Sequence, residues 1–244
     1  MTAILPEPID LVGSAVKLTP MSAADIPGLY RALARREVFE GGYGGGIAAL
    51  PTDLVAFRAF VAAYYLDGAA PSLAWTIRNL TGTGEPRIVG ATWMGEFDLG
   101  NESVHLGATA YSPEEWGTVV NPETKLLTLG LAFGHGFSRV KIQADSVNSR
   151  SRSAIERLGA EFEGVLRRDQ KRADGSWRDT AVYSVLADEW PTVKAGLEQR
   201  IAAIASRATG GEPRREERST IEGISPHRSI PARERPSLRH TRLT

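Results

Sequence analysis

Between Tyr111 and Lys125 the chain gathers residues that could hold an anion. Tyr111-Ser112-Pro113-Glu114-Glu115-Trp116-Gly117-Thr118-Val119-Val120-Asn121-Pro122-Glu123-Thr124-Lys125 reads as a strand end, a short loop and a helix start. Asn121 fits the N-cap and Pro122 the first helical position. Glu123 suits the positive end of the helix dipole. Free backbone N–H groups at such a helix start bind anions, most often phosphates. Lys125 and Arg152 are cations that could reach one. The same residues also spell an ordinary strand-to-helix turn, because a single glycine is a weak fingerprint.

The elements that must position this loop can be read from periodicity. Ser14–Thr19 alternates and predicts a first strand. Ser22 with Asp25 starts a helix from about Ala23, with Ile26, Leu29, Tyr30 and Leu33 on one face. Thr52 caps a second helix over about 53–66. Strands follow at 73–79 and 87–96, joined by Thr81-Gly82-Thr83-Gly84, and then at 102–111. Trp75 and Trp93 lie in these strands as core residues, and Trp93 could instead wall a cleft. The central helix spans about 122–134, with His135 complementing the dipole at its end. A strand at 140–144, a short helix at 151–158, strands at 162–168 and 180–186 and a helix at 190–203 complete the order. Gly41-Gly42-Tyr43-Gly44-Gly45-Gly46 is expected to be a mobile loop, since no strand feeds it and no Lys-Ser/Thr follows. Tyr43 is the one side chain in it able to stack or hydrogen-bond.

A second stretch sharpens the reading. Asp145-Ser146-Val147-Asn148-Ser149-Arg150-Ser151-Arg152 and Ile155-Glu156-Arg157-Leu158-Gly159-Ala160 follow the strand at 140–144. With the Trp-Gly-Thr-x-x-Asn-Pro-Glu-x-Lys loop, Glu163–Arg167 and Arg178–Ser184, in this order and spacing, the chain resembles the GNAT superfamily of N-acetyltransferases. Within it, the likeness is to the ribosomal-protein N-terminal acetyltransferase branch, and it covers roughly residues 11–197. The resemblance implies an α/β (α+β) fold with a mixed, mostly antiparallel sheet, a V-shaped splay and helices on both faces. It implies acetyl-CoA as acyl-donor cosubstrate, without a metal.

The expected splay lies between the strand ending at Tyr111 and the strand at 140–144. It would leave backbone groups near Ala110 and Tyr111 unpaired, so an extended pantetheine arm could pair there as an extra strand. The pyrophosphate would then rest on the N–H groups of Trp116, Gly117, Thr118, Val119, Val120 and the helix start at Asn121. Val119 stands where the family has a small residue. Asn148 matches a family position on the pantetheine side, though it could equally cap its helix, and Ser151 is a helix cap first and a cofactor contact second. His105 occupies a place, two residues before Gly107, where the family often has a carboxylate. It is the candidate base or proton relay, with an ordinary half-exposed strand residue as the other reading. The resemblance implies a leaving-group acid, often a Tyr in or near the helix after Asn148; none is there, so Tyr183 on the last strand is the candidate.

Composition sets the frame. The 244 residues are 42% hydrophobic, enough for one sizeable core. No cysteine is present, which excludes disulfides, thiol nucleophiles and thiolate metal sites and fits a cytoplasmic setting. No apolar run reaches membrane-spanning length, and the first residues do not read as a signal peptide. The expected layout is a loose arm over residues 1–10, one domain over 11–204 and a disordered Arg/Pro-rich tail over 205–244. That tail carries nine Arg against five Glu, too mild an excess to name a nucleic-acid partner. The acceptor is expected to be a primary amine: a protein N-terminus first, then a small-molecule amine such as an aminoglycoside or amino acid. A non-catalytic acyl-CoA-binding module is the alternative.

Overall fold

Alternating apolar residues build a sheet whose one parallel pairing decides where a ligand can enter. The computed structural model describes residues 2–209 apart from residue 69. The strands are β1 (Leu11–Val12), β2 (Val16–Pro20), β3 (Ser72–Asn79), β4 (Arg87–Asp98), β5 (Ser103–Tyr111), β6 (Arg139–Asp145), β7 (Glu161–Lys171) and β8 (Trp177–Leu186). They lie in the order β1-β2-β3-β4-β5-β6-β8-β7. Every neighbouring pair is antiparallel except β5 with β6.

The β5–β6 pairing covers only Ser103, Val104 and His105, opposite Arg139, Val140 and Lys141. Beyond His105, β6 continues along β8 to Asp145 while β5 continues along β4 to Tyr111. The two strands therefore diverge, as the expected splay requires. A bulge sharpens the divergence: Trp93 faces Gly107 and Ala91 faces Ala110, so Thr92 alone opposes Ala108 and Thr109. Ala108 takes a positive φ of 46° to make it.

Helices cover both faces. Helices α1 (Ile26–Leu33), α2 (Arg36–Phe39) and α3 (Leu54–Tyr65) bury Leu29, Leu33, Phe39, Phe57 and Val61 on one side. Helices α4 (Val120–Gly134), α5 (Ser149–Glu156) and α6 (Trp190–Thr209) bury Val120, Leu129, Ile155, Val193 and Leu197 in the core of the other. The last helix runs to Thr209, past the expected boundary at 204. The expected tail from 210 onward lies outside the described residues. Among the described residues no helix is long and apolar enough to cross a membrane.

Two expectations about loose segments are overturned. The arm is docked: Ala3 is buried, Ile4 N–H donates to the His135 carbonyl at 3.0 Å, and Trp75 Nε1 donates to the Ile9 carbonyl at 3.0 Å. The glycine segment is also pinned, because Tyr43 packs edge-on against Phe39, Phe60 and Tyr64. In the second helix Asp53, not Thr52, is the cap, accepting from Ala56 N–H at 2.8 Å.

Glu123 locks the start of α4 to the sheet edge. Its buried carboxylate accepts from the N–H groups of Ser14, Ala15 and Val16 and from the Ser14 hydroxyl, all within 2.8 Å. Glu123→Gln places an amide donor against these donors. It should lower stability by about 2 kcal/mol, read from the denaturant midpoint with an unchanged m-value.

Candidate active site

The divergence of β5 from β6 opens a cleft, and the loop after β5 supplies its mouth. Helix α4 starts two residues earlier than Asn121 would have it, with Val119 as cap residue and Val120 first in the helix. Asn121 is drawn away from capping, because its Oδ1 accepts from the Tyr111 hydroxyl at 3.0 Å. The loop N–H groups divide in alternation. Trp116 donates to the Pro113 carbonyl, Thr118 to the Glu115 carbonyl and Val120 to the Thr118 hydroxyl. Gly117, Val119 and Asn121 donate to no acceptor in the described chain. The expectation that all five groups from Trp116 to Val120 face an anion is thus narrowed to alternate ones. Gly117 sits at φ +77°, a left-handed conformation that other residues adopt at a cost, with open space where a Cβ would be.

Of the residues singled out from the sequence, Ala110, Tyr111, Trp116, Gly117, Asn121, Lys125, Asn148 and Ser151 line the cleft around this mouth. Thr118, Val119 and Val120 do not line it, and Val120 points into the core. Asn148 is the cap of α5, as its second reading had it: Oδ1 accepts from Ser151 N–H at 2.9 Å. Its amide nitrogen donates to the Gly41 carbonyl, so it also ties down the glycine segment. Ser151 is inside the helix and not its cap. Arg150 closes the opposite lip, its guanidinium 3.4 Å from the centre of the Trp116 ring. It was not foreseen, and its place beside Asn148 in the same motif was the available signal.

Lys125 is the most unusual group here. It is 8% exposed, and its Nζ donates to the Thr109 hydroxyl at 2.9 Å. Burial pushes its ammonium down to about 7. The sign of the linkage follows. An unfolded lysine holds its proton to about pH 10.4, so between 7 and that value the unfolded chain binds more protons. Stability should rise with pH through this window, and the penalty should be complete below about 7. Lys125→Met should raise stability at pH 7 by a few kcal/mol, at roughly 1.4 kcal/mol per unit, and flatten that rise. Denaturation midpoints across pH 6–10 check this.

A second half of the cleft, a cavity of about 260 Å³, shares Tyr43, Gly107, Ala108 and Thr109 with the first. Trp93, Tyr64, His105, Asp145 and Arg178 also line it. His105 Nδ1 lies 3.1 Å from Glu96 Oε1, and Lys141 Nζ donates to Glu96 Oε2 at 2.6 Å. The hydrogen bond from His105, and then Lys141, hold the Glu96 carboxyl down to about 2. An ionised Glu96 accepts the Nδ1 proton, which leaves the Nε2 lone pair free. Nε2 is buried without a hydrogen-bond partner and lies against Gly107, where a Cβ would approach it to 2.8 Å. Trp93 holds the ring edge-on, with centroids 5.7 Å apart. Glu102, which precedes β5, makes no hydrogen bond to it; its carbonyl accepts from Ser138 N–H.

The bulge is held from the same side. Tyr65 OH donates to the Ala108 carbonyl at 2.6 Å, and Tyr43 OH lies 2.7 Å from Tyr65 OH. Burial raises both phenols, so both stay protonated.

Tyr183 does not belong to this cleft. Its side chain is fully buried, donates to Glu156 Oε1 at 3.1 Å and accepts from Arg152 Nε at 3.0 Å. It lines neither half, because its place on β8 turns it toward α5. That bond also engages Arg152 away from the loop.

Residues 16–161 match the family model described as the acetyltransferase (GNAT) domain. The chain is 34% identical to a candidate acetyltransferase from T. thermophilus of known crystal structure. That match covers 81% of this chain and 99% of that one, with a TM-score of 0.70. A GCN5-related N-acetyltransferase from Brucella melitensis is 23% identical over 82% of this chain and 88% of its own, with a TM-score of 0.72. Mycobacterium smegmatis RimJ, solved with CoA-disulfide, is 20% identical over 77% of this chain and 88% of its own, with a TM-score of 0.55. At these identities the last two show a shared fold. No curated protein matches the chain.

Proposed function

This chain belongs to the GNAT acetyltransferase family, and from that premise we propose that its cleft moves an acetyl group from acetyl-CoA to a primary amine. The observation that carries the reading is the divergence of β5 and β6, with unengaged loop N–H groups at one end and an unpartnered imidazole nitrogen at the other. The N–H groups of Gly117, Val119 and Asn121 fit a pyrophosphate at the start of α4. The edge of β5 beyond His105, unpaired with β6, fits the amides of a pantetheine arm. Bound there, acetyl-CoA supplies an activated thioester near the bulge.

The chain's own residues do the rest. His105 Nε2 takes the proton from the incoming amine, with Glu96 holding the tautomer and stabilising the cation that results. Gly107 leaves room for that ring beside the bulge. Tyr65 and Tyr43 fix the Ala108 carbonyl, which orients the peptide groups at the bulge for hydrogen bonding to the acyl oxygen. Lys125, buried beside Thr109 on the donor side with its ammonium pushed down to about 7, can exchange a proton near neutrality, at a cost to stability that a purely structural position would not retain. A protein N-terminus and a small-molecule amine both present the primary amine this arrangement requires.

Calorimetric titration with acetyl-CoA, followed by thiol release in the presence of amines and N-terminal peptides, tests the reading. Saturable binding with turnover supports it. Binding without turnover on any amine would leave a non-catalytic acyl-CoA module, and no binding would remove the cofactor.

A further inference from the structure

The aromatic half of the cleft contains a cation that the proposed transfer does not use. Arg178 stands at the start of β8, paired in register with Gln170 of β7, and is the one Lys or Arg among the residues lining that half. Its Nε is buried and donates to nothing, and its Nη1 reaches only the Gln170 side-chain oxygen at 3.5 Å. No carboxylate of the described chain pairs with it. The nearby carboxylates are already matched. Asp145 is gripped by Arg172 Nε and Nη2 at 2.7–2.9 Å, and Glu96 by Lys141 and His105. The wall therefore carries one surplus positive charge, with an N–H whose acceptor is missing.

A buried donor without an acceptor is costly, and a guanidinium edge has the geometry for a carboxylate. The same half holds the free His105 Nε2, with Trp93, Tyr64 and Tyr43 as its aromatic lining. An amine at His105 and an anion at Arg178 belong to one small molecule if both ends are bound together. We propose that the acceptor is an amine that also carries a carboxylate, a free amino acid in chemical class, and that Arg178 selects it by that carboxylate. This rests on the acetyl-transfer reading above and narrows its acceptor. A peptide presents an amide where the amino acid presents its carboxylate, and an amide offers Arg178 no charge.

The test uses the full chain, acetyl-CoA and thiol release, with L-amino acids paired against their own carboxamides and against short peptides of neutral sequence. Wild type should prefer the acid of the best pair on the order of 30-fold in kcat/KM, the size of a charge-assisted hydrogen bond. Arg178→Met should erase that preference by raising KM for the acid, with KM for acetyl-CoA and thermal unfolding unchanged. Arg178→Lys should restore part of it, since a point charge lacks the fork. Equal rates on acid and carboxamide, or a preference for peptides, would overturn the inference and leave acetyl transfer standing. A protein that binds acetyl-CoA and turns over no amine would remove both.

Discussion

Gly117→Glu should abolish measurable acetyl-CoA binding while the protein still folds. The effect has two sources that the structure separates. The position is conformational: φ is +77°, and a residue with a Cβ pays roughly 1–2 kcal/mol to sit there. It is also electrostatic, because a carboxylate would stand beside the unengaged N–H groups of Gly117, Val119 and Asn121 and compete with phosphate for them. No protein atom obstructs the new side chain, since a Cβ meets nothing within 4 Å, so any steric effect falls on the ligand itself. Gly117→Ala isolates the first source and should weaken binding about tenfold. The glutamate should exceed about 100-fold, beyond what calorimetry resolves at ordinary concentrations. Unchanged affinity in the glutamate variant would show that the pyrophosphate lies elsewhere.

His105→Ala should have the largest effect on turnover, a fall of roughly 10²–10³-fold in kcat, with KM for acetyl-CoA nearly unchanged. The pH dependence of the rate should change, because the group proposed to take the amine proton is gone. Glu96→Gln supplies the control. It keeps the ring in place but weakens the hold on its tautomer, so kcat should fall by about tenfold and the pH dependence should move without vanishing. A wild-type pH–rate profile in His105→Ala would remove the imidazole from the reaction and leave positioning by the cleft as the source of rate.

Much of the lining of this cleft is legible in the sequence, and the exceptions have physical causes. Strand and helix order followed from periodicity because one face of nearly every element is buried. The start of α4 was misplaced because capping rules are local, whereas the Asn121 side chain is claimed by a tyrosine ten residues earlier. Tyr183 was chosen by type and neighbourhood. Which side of β8 it faces depends on β8 lying between β6 and β7, a fact of topology with no local signal. The glycine segment looked loose because composition does not reveal aromatic rings arriving from α3 to meet Tyr43. The spacing of His105 from Gly107 singles it out, and it lines the cleft, whereas Glu96 carries no such signal, since a partner across the β4–β5 hairpin is visible only once the register is known. Arg178 could be seen as one more basic residue in a matching motif; only its missing partner distinguishes it.

The carboxylate of Glu123 has a consequence for how the chain comes to exist. It satisfies the backbone of residues 14–16 from a position 109 residues further on. A ribosome adding about 5–20 residues per second makes Glu123 at least about 5 s after Ser14. During that interval the turn before β2 has donors with no acceptor, and the N-terminal arm lacks the His135 carbonyl that later holds it. The front of the sheet is thus completed from behind. Residues 14–16 are secured well after they are made, by the same helix whose first turn forms the mouth of the cleft. A nascent chain halted before α4 would show a half-built sheet with an open edge, exposed to chaperones or to a neighbouring chain.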